Sequence, residues 1–267
     1  MPGEFSIKQD LHCHTRLSSC CGDMALTARA AFEIAGKLGY DAMCLTDHMW
    51  DSDVPGASEW YAPQNIEHVL AARAEPGVEG VRCMVGCETE YVGGGRLGLK
   101  REHFDLFDFV VIPPNHMHMK GFVRPDGVVS EADMAELFTC RLEEISGLDI
   151  PMEKVGIAHL TCNLLYAEGC VTDVIRLMDE RRLARVFDEF ARRGAGIELN
   201  AKAFGSMHSD PENTLKLYRM AKRSGCRFYC ASDAHASASH GNIAELLPEV
   251  VAALELDADD MYRVPER

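Results

Sequence analysis

Seven times along this chain, a short apolar run that reads as a β-strand gives way to a stretch with helical apolar spacing. Strands and helices alternating in this way predict an α/β fold built on a parallel sheet. The strand-like runs cover residues 5–9, 41–46, 81–92, 108–112, 154–158, 196–199 and 227–231. Helices are expected over 27–38, which Gly39 would cap, and over 65–75 and 131–145. Residues 171–193 read as one broken or two short helices, and 211–224 as a helix with proline in its first turn. Seven β-α units imply a sheet closed, or nearly closed, into a barrel. At 267 residues one such barrel fits the chain, as two smaller domains would. The expectation is a single domain spanning 1–267.

In barrels of this kind the active site lies at the C-terminal ends of the strands. Here those ends carry His12 and His14, His48, Glu88, His116, His159, and Asp233 with His235. Six of the seven strand ends hold at least one such residue. The densest stretch is Asp10-Leu11-His12-Cys13-His14-Thr15, directly after the first expected strand. Two histidines at i and i+2 on a strand share a face, because side chains alternate with period two. Such a pair can hold one borderline-soft cation such as Zn²⁺ from one side.

Other readings are disfavoured. No apolar run approaches the length of a membrane span, and the first residues show no basic segment followed by an apolar one, so a cytoplasmic protein is expected. Eleven cysteines, an odd number scattered over strands and helices, point to reduced thiols rather than a disulfide framework. Cys20-Cys21 is a vicinal pair, and no second pair sits at zinc-finger spacing. A net charge of −15 argues against general nucleic-acid binding but permits an anionic small-molecule substrate. Gly93-Gly94-Gly95 has no G-K-[ST] after it and reads as a turn, not a phosphate cradle.

The ordered set His12-x-His14, Thr46-Asp47-His48, Glu88, His116, His159 and Ser232-Asp233-Ala234-His235 resembles the polymerase-and-histidinol-phosphatase (PHP) family. The likeness runs from Asp10 to about Asn242. It implies a distorted (β/α)7 TIM-like barrel with three divalent ions, usually zinc, iron or manganese. By position, His12, His14, Glu88 and Asp233 would hold one ion. Glu88 would bridge to a second, held also by His116 and His159. A third would take His48, His235 and a ligand from the loop after His14. Counting back from His48 points to Asp23; counting forward from His14 points to Cys20. A hard carboxylate beside an open hydrolytic site favours Asp23, with a Cys20 thiolate as the alternative.

Three divalent ions bring +6 and Asp23, Glu88 and Asp233 bring −3, leaving a surplus that suits a phosphate dianion and a hydroxide. The expected reaction is hydrolysis of a phosphate monoester, in which a hydroxide bridging two metals attacks phosphorus and the metals clamp the phosphoryl oxygens. Glu88 stands at the centre of that chemistry. His208 and His118 are the residues considered for protonating the leaving alkoxide. Arg16, Lys120, Arg124 and Lys202 lie in strand-end loops, where each either meets substrate phosphate or is a solvated charge. Trp50, Trp60 and Tyr61 fall in a loop over residues 49–63 that either covers the site or packs on the barrel rim. Competing functions are a diesterase or nucleotide phosphatase on the same chemistry, a non-catalytic metal-binding barrel, and a C–N hydrolase. The last usually needs a bridging carbamylated lysine, and no strand end offers one.

Overall fold

The computed structural model describes residues 3–166 and 168–266. Strands β1 (Gln9–Cys13), β2 (Ala42–Leu45) and β3 (Arg82–Val85) form one hydrogen-bonded run. A second run joins β4 (Cys87–Glu88), β5 (Val110–Ile112), β6 (Val155–Ile157), β7 (Gly196–Asn200) and β8 (Arg227–Ala231). Every pairing is parallel. Single backbone bonds link the runs at both seams. Gly86 donates to Leu45 (2.8 Å) and Glu88 to Asp47 (3.1 Å) at one; Asp233 donates to His12 (2.8 Å) and His14 to Ala234 (2.9 Å) at the other. The result is an α/β fold of TIM-like barrel type, distorted where the ladder breaks.

Helices α1 (Ala28–Leu38), α2 (Ile66–Leu70), α3 (Glu131–Ser146), α4 (Val171–Leu177), α5 (Glu180–Arg193), α6 (Pro211–Arg223) and α7 (Asn242–Ala253) complete the fold. Their limits follow local chemistry. The Thr27 side chain accepts from Ala30 N to start α1, and Gly39, at φ 72°, ends it in the left-handed region. A reciprocal Ser130–Asp133 capping box starts α3. Asp210 caps α6, whose first residue is Pro211.

Two strand expectations need correction. The first strand is Gln9–Cys13, four residues beyond the predicted 5–9. All five of its residues are buried, so it has none of the alternation that Phe5 to Lys8 displays on the approach to it. The long third run divides into β3 and β4 at Gly86, where an added Cβ would lie 2.2 Å from the Phe109 carbonyl oxygen.

Register in β1 is irregular as well. Asp10 opposes Met43 and Cys13 opposes Leu45, so three steps on β1 match two on β2. This bulge lets Leu11 and His12 both face the ring's interior, and His14 follows them there. Leu11 joins an interior apolar cluster with Cys44, Met84, Phe109, Val111, Ala158, Tyr229 and Ala231, floored by Tyr262 and Val264. A larger apolar core fills the space between strands and helices.

Candidate metal centre

The structure draws the strand-end residues together above that interior cluster. Ligand atoms of His12, His14 and Asp233 lie within 4.8 Å of one another, as do those of Glu88, His116 and His159, and those of His14, His48 and His235. Glu88, 1% exposed, sits between the groups. Its Oε1 is 3.2 Å from His159 Nε2 and 3.7 Å from His116 Nε2. Its Oε2 is 3.0 Å from His48 Nδ1 and 3.4 Å from Nε2 of both His12 and His14.

The far sides of His12, His14 and His116 are each held by a partner that fixes the tautomer. His12 Nδ1 donates to Glu198 (2.5 Å), and His116 Nδ1 to Glu90 (2.6 Å). The Tyr61 hydroxyl donates to the same Glu90 oxygen at 2.6 Å. Asp47 accepts from Thr15 N, the Thr15 hydroxyl and the Ser18 hydroxyl, at 2.7 to 2.8 Å. Ser18 Oγ in turn accepts from His48 N and His14 Nδ1, both at 3.0 Å. With those protons outward, Nε2 of His12 and of His14 face each other at 3.2 Å, so that a proton or a cation must come between their lone pairs. Glu88 Oε2, buried beside them, makes no hydrogen bond to the described residues. Converging lone pairs and an orphaned buried carboxylate oxygen are unfavourable alone and are satisfied by a cation. The donor set of imidazoles and carboxylates suits zinc, iron or manganese.

Electrostatics report the same crowding. Burial would lower the His12 pKa, but the Glu88 and Glu198 carboxylates outweigh it and hold it up at about 10. His14 moves down through burial and the neighbouring His235 and His48. Burial works against the charged forms of Glu88 and Asp233, yet facing imidazoles bring both well below the usual carboxylate range. His159 and Asp233 also occupy the left-handed region, at φ 60° and 49°. Such strain, held at two strand ends that carry donors, fits a functional site.

A cavity of about 540 Å3 opens over the cluster. Glu88, His48, His116, His159, Asp233 and His235 form its base; Trp60, Tyr61, Met119, Phe122 and Leu164 its apolar walls; Cys20, Ser58 and His118 its rim. None of these lining residues is lysine or arginine. The aromatic loop divides its work: Trp50 and Tyr61 are buried, while Trp60 is exposed and lines the cavity.

Several expected site residues stand elsewhere. The Asp23 carboxylate accepts from the Ser237 hydroxyl (2.7 Å) and Ser237 N (3.1 Å) and does not line the cavity. His208 is exposed, 3.7 Å from Glu249 and away from the cluster. Lys120 and Arg124 both pair with Glu168, each at 2.9 Å, and Arg16 lies in solvent. Of the expected basic residues Lys202 does reach the cluster, donating to the Asp233 carbonyl and lying 3.5 Å from its carboxylate. Sequence reading passed over Glu198, Glu90 and Ser18. The one available signal was Glu198 itself, an acid inside the apolar run of β7.

The sequence pattern of the PHP domain matches residues 10–202, which spans all the donor positions up to β7. The chain belongs to the PHP domain family. A probable phosphatase from Caldicellulosiruptor bescii is 22% identical over 254 residues, covering 93% of this chain and 88% of that protein. Among solved structures, histidinol phosphate phosphatase from Lactococcus lactis, complexed with zinc, L-histidinol and phosphate, superposes with a TM-score of 0.55. Identity there is 14%, over 90% of this chain and 92% of the other, so that likeness speaks to the PHP fold. Among the described residues no helix is long and apolar enough to cross a membrane.

Proposed function

We propose that this PHP-family chain is a metal-dependent phosphatase that hydrolyses a small phosphate monoester. Its three divalent ions would be held by His12, His14, Glu88 and Asp233; by Glu88, His116 and His159; and by His48 and His235 with one further ligand from the loop after His14. The observation that carries this reading is Glu88, a buried carboxylate with one oxygen toward each of two imidazole groups and one of those oxygens orphaned. When bound, the ions supply Lewis acidity and bring the pKa of water to about 7.

The chain's own groups do the rest. Glu198, Glu90 and the Asp47–Ser18 pair keep the imidazoles turned inward. Trp60, Phe122, Met119 and Leu164 seat an apolar or aromatic leaving group and exclude water from the phosphoryl side. With no lysine or arginine among the described residues that line the cavity, charge recognition of phosphate falls to the metal centre. His118 lines the cavity, and because burial and His116 hold its pKa down at about 4, it meets the leaving alkoxide as a neutral imidazole whose N–H donates.

Purified protein loaded with manganese, zinc or iron should hydrolyse p-nitrophenyl phosphate in preference to its bis-ester. Preference for the bis-ester would mark a diesterase, and absence of turnover with every metal would mark a non-catalytic barrel. His118→Asn should slow alkyl phosphates with poor leaving groups more than p-nitrophenyl phosphate; equal slowing of both would remove its proton-donor role.

A further inference from the structure

We propose that Cys20 completes the third group of this centre, binding the ion held by His48 and His235 as a thiolate. The proposal rests on the metal-centre reading above and adds to it a sulfur ligand.

Three imidazoles converge at this corner. The His14 ring stacks on His48 at 4.5 Å and on His235 at 4.2 Å between centroids. As neutral donors they bring no charge to balance a divalent ion. The carboxylate that this loop could offer, Asp23, is committed to Ser237 and to Ala25 N. Cys20 instead lines the cavity together with His48 and His235. A second feature marks the same corner as a cation site. Glu88 Oε2, fully buried, lies 3.0 Å from His48 Nδ1 and has no hydrogen-bond partner among the described residues.

The vicinal pair is split by its surroundings. Cys21 is turned aside, with Sγ 3.2 Å from the His235 carbonyl oxygen. The loop is pinned on both sides of Cys20, where Ser19 N donates to the Gln64 side chain (2.8 Å) and Cys21 N to the Ser18 carbonyl (2.9 Å). Cys20 is thus delivered to the imidazoles without rearrangement. On binding, the Sγ–H bond breaks, its proton passes to solvent, and both electrons of the bond stay on sulfur to form the bond to the metal, with no redox change. A soft thiolate makes this one position prefer zinc, iron(II) or cobalt over manganese.

The test loads metal-free protein with cobalt(II) and reads absorption together with metal content. Wild type should show a near-ultraviolet thiolate-to-cobalt charge-transfer band. Cys20→Ser should lose that band and one ion per chain, while Cys20→Asp should keep the ion without the band. Cys21→Ser should keep both. A cobalt-loaded wild type without the band, or a Cys20→Ser variant that retains it, overturns the assignment while leaving the metal centre standing. Failure of wild type to take up any cobalt would overturn the centre itself, and the thiolate ligand with it.

Discussion

Strand β7 shows the two halves of the barrel interior within five residues. Gly196, at its start, leaves room for Tyr229 and Tyr262, whose rings an added Cβ would meet at about 3.0 Å. Two residues on, Glu198 faces the same interior and holds His12; two further, Asn200 approaches His159. Below this level the interior is apolar: Phe109, Tyr229, Met84 and Leu11 are closed against Tyr262 and Val264. Above it, buried imidazoles and carboxylates crowd together, His12, His14, His159, Glu88 and Glu198 among them. Apolar burial stabilises the lower half at roughly 25 cal/mol per Å2. The upper half gathers charges whose desolvation opposes folding unless they are paired or bind metal. The lower half supplies stability, and the upper half spends some of it on a site.

If that division holds, substitutions in the two halves should fail in different ways. The largest effect belongs to Glu88→Gln. Activity with any metal should fall by about ten-thousandfold, equivalent to ~5 kcal/mol of lost transition-state stabilisation, with reduced metal content. Urea denaturation of the metal-free variant should show a loss of stability, because the imidazoles that hold the Glu88 carboxylate below its usual range lose their partner. Full metal content and activity in the variant would break the comparison.

Phe109→Ala is the mirror case. It should cost about 3–5 kcal/mol in urea denaturation, as deletion of a buried aromatic ring does. Metal content per folded molecule should not change. Glu198→Gln sharpens the boundary between the halves, since Glu198 orients His12 and accepts from His159 N without itself facing the cavity. Metal affinity should weaken about 10–100-fold by titration, with activity restored at saturating metal.

The smallest effect lies in the loop that carries the cavity's aromatic wall. Buried Asp51 accepts from Asp53 N (2.9 Å), Lys100 N (3.2 Å) and His103 (2.6 Å). Burial pushes its pKa up, but these donors win and leave it below the ordinary value. With the folded pKa below the unfolded one, its contribution is complete above about pH 4 and is lost as pH falls through the folded value. Asp51→Asn should therefore cost about 1–2 kcal/mol at pH 7. The gap between variant and wild type should close in denaturation curves recorded below about pH 4. A gap that persists there would remove the carboxylate charge from the explanation.

The contrast between halves also separates what the sequence disclosed from what it concealed. Strand ends were legible because each is a local event: an apolar run stops at a histidine or an acid. Helix limits were legible for the same reason, as Thr27, Ser130 and Gly39 act within three or four residues of themselves. The bulge that turns Leu11 and His12 to one side was hidden, since it exists only against β2. Asp23 looked free because Ser237, which holds it, lies 214 positions away. Lys120 and Arg124 looked available for phosphate until the fold brought Glu168 to them. Charges in loops take their meaning from contacts that span the chain, and neither composition nor spacing encodes those contacts one residue at a time.

Anomalous X-ray scattering from crystals of the protein soaked in zinc or manganese tests the central claim most directly. Peaks should flank the Glu88 carboxylate, one beside His12, His14 and Asp233 and another beside His116 and His159. A Glu88 clear of any peak, with metal lodged instead at the buried Asp10, Cys13 and His240 group or bound nowhere, would contradict it.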